Sequence, residues 1–314
     1  LHKLPVAWMR IVNVSFLMGG ALILLPLWLL ASSDTDELPE TATESGRAPK
    51  IERVFQQARN GDADAQHLLG SMYLYGQGIQ KDHELATRWF HSAAAQGHVA
   101  AQGALGIAYY KGIGVPVNEQ DAAKWIQKAA SQGDASSQYN LANLYSRGEG
   151  VARDHAEASR WYRKAAQQGH ADAQAILGIR YYQGIGVPHD YSQALDWYLK
   201  AANQEHPDAL LAAGSMHMRG LGVRRNVTKG LEFIRKAAMR GHYHAQYMLA
   251  LSFESDEMGG PKDMTMACAW MLVAAENGSA EAQDELTRCR AVIGPAEMEL
   301  AEAAAEQIRA RISQ

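Results

Sequence analysis

The pair Gly-x-Gly occurs at Gly76/Gly78, Gly112/Gly114, Gly148/Gly150, Gly184/Gly186 and Gly220/Gly222, each 36 residues after the last. A fixed period of this length leaves few folds open. Each unit must be one supersecondary structure that buries its apolar face only against its neighbours. The glycines invite a rival reading as phosphate loops. That reading needs G-x-G-x-x-G between a strand and a helix, with an acidic residue further on. The copies "YYKGIGVPVN" (109–118) and "YYQGIGVPHD" (181–190) lack the third glycine, as do the others. The pairs therefore read as positive-φ residues that close one helix and turn into the next.

The rest of the unit falls into register around this turn. Before it, Ala65-Gln66, Leu69 and Tyr73 repeat as Ala101-Gln102, Leu105 and Tyr109, then as Ala173-Gln174, Leu177 and Tyr181. The i, i+4, i+8 spacing marks the buried stripe of a first helix, A. After the turn come Trp89, Trp125, Trp161, Trp197, Phe233 and Trp270, each three residues beyond a small residue and followed by an alanine pair such as Ala129-Ala130. This is the buried side of a second helix, B, and the aromatic stripe is expected in the core. Helix B ends at Gly97, Gly133, Gly169, Gly241 and Gly278, with Glu205 replacing the glycine once. Each unit is thus an αα-hairpin stacked on the next. His98, His170, His206 and His242 recur one residue past the helix B terminator, so they are expected to start helix A rather than to form a site.

The pattern A-Q-x-x-L-G-x-x-Y-x-x-G-x-G-V followed by A-x-x-W-x-x-x-A-A-x-x-G resembles the Sel-one-like repeat family of the tetratricopeptide-like superfamily. "AQAILGIRYYQGIGVPHDYSQALDWYLKAANQ" (173–204) carries it almost without gaps. The resemblance implies an all-α fold, a right-handed α/α solenoid of about six 36-residue hairpins over residues 51–290. It also implies a non-catalytic adaptor whose helix A surface forms a concave groove for a peptide or helix of a partner protein. The positions that would line that groove include Tyr110, Tyr139, Asn143, Tyr182, Met218 and Tyr247, residue types enriched at interfaces. Residues 291–314, with Pro295 at a first turn, are expected to form a polar-faced capping helix.

Ahead of the repeats, Ile11–Ser33 runs 23 residues without a charge. That is long enough to span a bilayer. Lys3 and Arg10 precede it and Asp34, Asp36, Glu37, Glu40 and Glu44 follow. By the positive-inside rule, residues 1–10 are cytoplasmic, 11–33 form a single-pass signal-anchor helix in the inner membrane, and the repeats are periplasmic. The alternative is a signal peptide cleaved near Ser33, leaving a soluble periplasmic or secreted protein. Residues 34–50 are acidic and poor in large apolar groups, and read as a disordered tether.

No reaction is legible. The sequence has neither G-x-S-x-G nor S-x-x-K, and its histidines lack partners at metal-ligand spacing, so no catalytic residue, metal or cofactor is expected. With 30 basic against 34 acidic residues there is no cationic field for nucleic acid. The function expected is a membrane-anchored interaction scaffold serving envelope, secretion or signalling partners; the alternative is an envelope-glycan binding or hydrolysing protein. Cys268 lies ten residues before Gly278 and Cys289 eleven after it, so the two thiols are nearly level on antiparallel helices. In an oxidising compartment they could form a disulfide; a lone buried thiol is the other possibility.

Overall fold

The computed structural model describes residues 44–254 and 262–313. The expected anchor (11–33) and the first part of the tether (34–43) lie outside them. Among the described residues there are 14 helices and no strand, which is an all-helical repeat solenoid. None of these helices is long and apolar enough to cross a membrane. The chain divides into two compact units that meet in sequence at His170 and Ala171.

The first unit holds α1 (Glu44–Arg59), α2 (Ala63–Tyr75), α3 (His83–Ala95), α4 (Val99–Lys111), α5 (Glu119–Ser131), α6 (Ala135–Arg147) and α7 (His155–Gln167). The second holds α8 (Ala171–Gln183), α9 (Tyr191–Ala202), α10 (Pro207–Arg219), α11 (Val227–Met239), α12 (Tyr243–Ser252), α13 (Met264–Glu276) and α14 (Ala280–Ile312). From α2 onward they alternate as A and B.

Local chemistry sets the helix ends. Helix A closes on left-handed glycines, with Gly76, Gly112, Gly148 and Gly220 at φ between 71° and 80°. Helix B opens on Asp82, Asn118, Asp154, Asp190, Asn226 or Asp263, whose side chains accept from backbone N–H groups of the first turn. The recurrent histidines are helix-start residues, as expected. The Nδ1 atoms of His98, His206 and His242 accept from the N–H of Ala101, Ala209 and Ala245. Their Nε2 atoms reach Asp64, Asp172 and Asp208 of the preceding helix A at 3.1, 3.1 and 2.9 Å. One imidazole therefore caps its own helix and fastens it to the neighbouring repeat.

The core runs along the A–B seams. Leu69, Leu105, Leu141 and Leu177 are fully buried, as are the alanines Ala93, Ala129, Ala165 and Ala201. The aromatic stripe is less central than its spacing suggests. Trp161, Trp197 and Trp270 are buried, but Trp89, Trp125 and Phe233 are half-exposed. Lysine ammonium groups lie 3.9, 3.7 and 3.8 Å from the ring centroids of Trp125, Trp161 and Trp197. The deepest large side chain of helix B is the next residue, as at Phe90, Ile126, Tyr162, Tyr198 and Ile234. It fits where helix A lacks a side chain: a Cβ on Gly106 would stand 2.5 Å from Ile126, and one on Gly178 2.7 Å from Tyr198.

The second glycine of each turn belongs to the stacking of hairpins. A Cβ at Gly114 would fall 2.0 Å from the His83 carbonyl oxygen, and one at Gly150 the same distance from that of Glu119. Thr87 reinforces the contact by donating to the Ile113 carbonyl at 2.7 Å.

Both ends differ from expectation in detail. Helix α1 begins at Glu44, so the last residues of the expected tether are helical, and the repeats start at α2 rather than at residue 51. The reason is packing: Ile51, Val54 and Phe55 lie one helical turn apart and seat against the Leu69–Met72 cluster, so α1 covers the first hairpin. At the other end, α14 is two helical segments broken at Gly294 (φ 74°, ψ 175°), with Pro295 next. Its second segment follows Pro295, within the stretch 291–314. Ala301, Ala305 and Ile308 join the core of the second unit, and Arg309 pairs with Glu276 at 2.7 Å.

Candidate protein-interaction surface

The A helices carry the positions expected to line a groove, and the structure sorts them into two groups. Tyr139 is 7% exposed and stacks on His170 with ring centroids 4.7 Å apart. Met218 is 1% exposed and fills the space opened by Gly230, which stands where most repeats have alanine. Tyr247 is 4% exposed, and burial, followed by the carboxylates of Glu285, Glu254 and Glu281, pushes its hydroxyl up to about 12. These three are corrected from groove residues to packing residues. Each packs against a neighbouring element, so the space beside it is already filled.

Tyr110, Asn143 and Tyr182 remain half-exposed. In the first unit, Tyr110 donates its hydroxyl to Glu149 at 2.8 Å, and Glu149 also faces Arg147 at 3.8 Å. Burial first, then this carboxylate, raises the Tyr110 pKa. Asn143 accepts from the Tyr162 hydroxyl, so its Oδ1 is committed to helix B. In the second unit, the Tyr182 hydroxyl accepts from Arg219 at 3.1 Å, and its ring lies 5.1 Å from Tyr191. Each of the two tyrosines is thus held through its hydroxyl by a charged neighbour and stays half-exposed.

Two residues were missed from the sequence. Leu68 and Tyr75 on α2 are 46% and 42% exposed, unusual for large apolar groups on an A helix. Their i, i+7 spacing puts them on one stripe, a signal that was available. Beside them, His67 stacks on His98 at 4.7 Å. Burial first, then His98, lowers the His67 pKa to about 4, with Asp64 opposing. Among the described residues, no group of three or more His, Cys, Asp or Glu side chains is placed to hold a metal ion.

Cys268 on α13 and Cys289 on α14 form a disulfide with Cα atoms 5.7 Å apart, inside the range the bond requires. Both are buried, and Met271 covers Cys289.

Paired antiparallel helices repeating every 36 residues, with glycine-closed A helices and alanine-faced B helices, define a tetratricopeptide-like helical repeat protein. The Sel1 repeat model matches residues 63–98, 99–134, 135–170, 171–206, 207–242 and 244–279, so the chain belongs to the Sel1 repeat family. No curated protein matches the sequence significantly. Among solved structures, the chain is similar to a protective antigen present in uropathogenic Escherichia coli strains that displays an SLR fold. The two share 34% identity and a TM-score of 0.74 over 85% of this chain, which spans 56% of the antigen. It is also similar to a Sel1 repeat protein from Oxalobacter formigenes, with 28% identity and a TM-score of 0.62 over 74% of this chain and 97% of that one. Sel1 repeat proteins are generally protein-interaction scaffolds, and the fold is typically non-catalytic.

Proposed function

We propose that the protein is a membrane-anchored, non-catalytic scaffold. It presents its repeats in the periplasm to protein partners of an envelope, secretion or signalling system. The observation that carries the partner reading is the pair of half-exposed tyrosines on A helices, Tyr110 and Tyr182, each oriented by a charged side chain. A tyrosine fixed by its hydroxyl keeps an apolar ring available to a partner at little entropic cost. Two features support export. The uncharged run Ile11–Ser33 follows Lys3 and Arg10, and the Cys268–Cys289 bond is of a kind that persists in oxidising compartments.

Photo-crosslinking in cells tests the reading. A photoreactive residue at Tyr110 or Tyr182 is expected to capture a protein partner, whereas one at the exposed His91 on helix B is not. Equal capture from all three positions refutes the A-helix surface. An alkaline phosphatase reporter fused after Gln314 is expected to be active; cytoplasmic-level activity refutes the periplasmic placement.

A further inference from the structure

The third and fifth repeats carry the same turn with opposite electrostatics. The third reads "RGEGVARDHAEA" (147–158) and the fifth "RGLGVRRNVTKG" (219–230), offset by 72 residues. In the third repeat Arg147 faces Glu149, which accepts from Tyr110. Asp154 caps α7 and Glu157 pairs with Arg160 at 2.7 Å. In the fifth, the three acidic positions are Leu221, Asn226 and Lys229, and Arg224 replaces Ala152. Four cations, Arg219, Arg224, Arg225 and Lys229, therefore stand within eleven residues that contain no carboxylate, in a chain of net charge −4.

All four side chains are exposed. The corner is also stiff. Gly222 seats on the Tyr191 backbone, where a Cβ would meet the carbonyl oxygen at 2.4 Å. Arg225 donates from Nε to the Met218 carbonyl at 3.0 Å, and Arg219 donates to the Tyr182 hydroxyl. Among the described residues, Arg224, Arg225 and Lys229 form no ion pair.

We propose that this corner docks an acidic segment of a partner protein. Carboxylates of the segment lie on Arg224 and Arg225, with Lys229 beside them. Guanidinium groups match carboxylates with paired hydrogen bonds, which favours peptide acids over a diffuse counter-ion layer. A membrane surface fits less well. The helices α11 and α9 also carry exposed carboxylates, Glu232 and Asp196, which disfavour a broad anionic surface more than a narrow peptide. The proposal rests on the protein-partner reading but involves a corner separate from Tyr110.

The test uses the full chain in detergent micelles and a fluorescein-labelled decapeptide of alternating glutamate and alanine, with its glutamine counterpart as control. The glutamate peptide is expected to bind, more weakly as salt rises, and the glutamine peptide not to. Arg224→Glu, at a side chain with no partner of its own, is expected to weaken binding by about tenfold or more. Leu221→Glu, which recreates the internal carboxylate of the third repeat, is expected to do the same. Both variants should keep the thermal midpoint of the parent. Absence of glutamate-peptide binding, or equal binding by parent and both variants, overturns the proposal. Arg224-dependent binding to phosphatidylglycerol vesicles without peptide binding also overturns it, in favour of a lipid surface. Loss of peptide binding with unchanged crosslinks at Tyr110 separates failure of this corner from failure of the scaffold reading.

Discussion

Replacing Gly150 by alanine tests how the hairpins are held together. Gly150 has φ 68°, in the left-handed region, where a Cβ costs an L-residue about 1–2 kcal/mol. That Cβ would also stand 2.0 Å from the carbonyl oxygen of Glu119 and 2.5 Å from its carbon. These atoms are backbone of α5 in the preceding hairpin, so no side chain can rotate away. Relief requires the two hairpins to separate, and overpacking of this kind costs a further 1–3 kcal/mol or so. The total expected is about 2–5 kcal/mol. Gly148 is the internal control. Its φ is 80°, and its tightest neighbour is the Arg153 Cβ at 3.1 Å, in a turn that can yield. Gly148→Ala should therefore show the strain alone, about 1–2 kcal/mol. Urea unfolding followed by far-ultraviolet circular dichroism measures both. Equal losses, within about 0.5 kcal/mol, would mean that the close approach of Gly150 to α5 does not clamp the repeats.

Two further outcomes follow from buried groups. Opening the Cys268–Cys289 bond, which spans 21 residues, should lower stability by about 3 kcal/mol on the chain-entropy account. Thiol counting on denatured, unreduced protein from its native cell should find none free, and two free thiols would contradict the bond. The lowered pKa of His67 makes a signed prediction. The unfolded chain takes up a proton near the ordinary value of 6.5, whereas the folded ring resists until about 4. Unfolded protein then binds more protons between those limits, so stability should fall as pH drops through that window and level off for this residue below it. His67→Gln should flatten the pH profile of the urea midpoint between 6.5 and 4; an unchanged slope would show that the burial of His67 has no such consequence.

The sequence by itself determined the local structure of the repeats. The period, the turns and the helix ends follow from glycine at positive φ and from Asp, Asn and His side chains that accept from the first N–H groups of a helix. Those effects act within four residues, so a linear pattern displays them in full. The Leu69, Leu105 and Leu141 stripe was equally legible, because i, i+4 spacing fixes a face. What the pattern could not decide was how much room each face leaves once another helix lies on it. Met218 shares the register of Tyr110 and Tyr182, and Tyr139 and Tyr247 occupy a position seven residues earlier in the unit, on the same stripe of helix A. All three are buried because His170, Gly230 and the last helix pair close over them. Ile126 and Tyr198, not the tryptophans before them, became the deepest groups because Gly106 and Gly178 leave slots on the opposing helix. The cysteines were visibly level, but only the rotation of α13 against α14 brought their Cα atoms to 5.7 Å. Burial and side-chain direction depend on the distance and rotation between helices remote in sequence, and those are settled by packing.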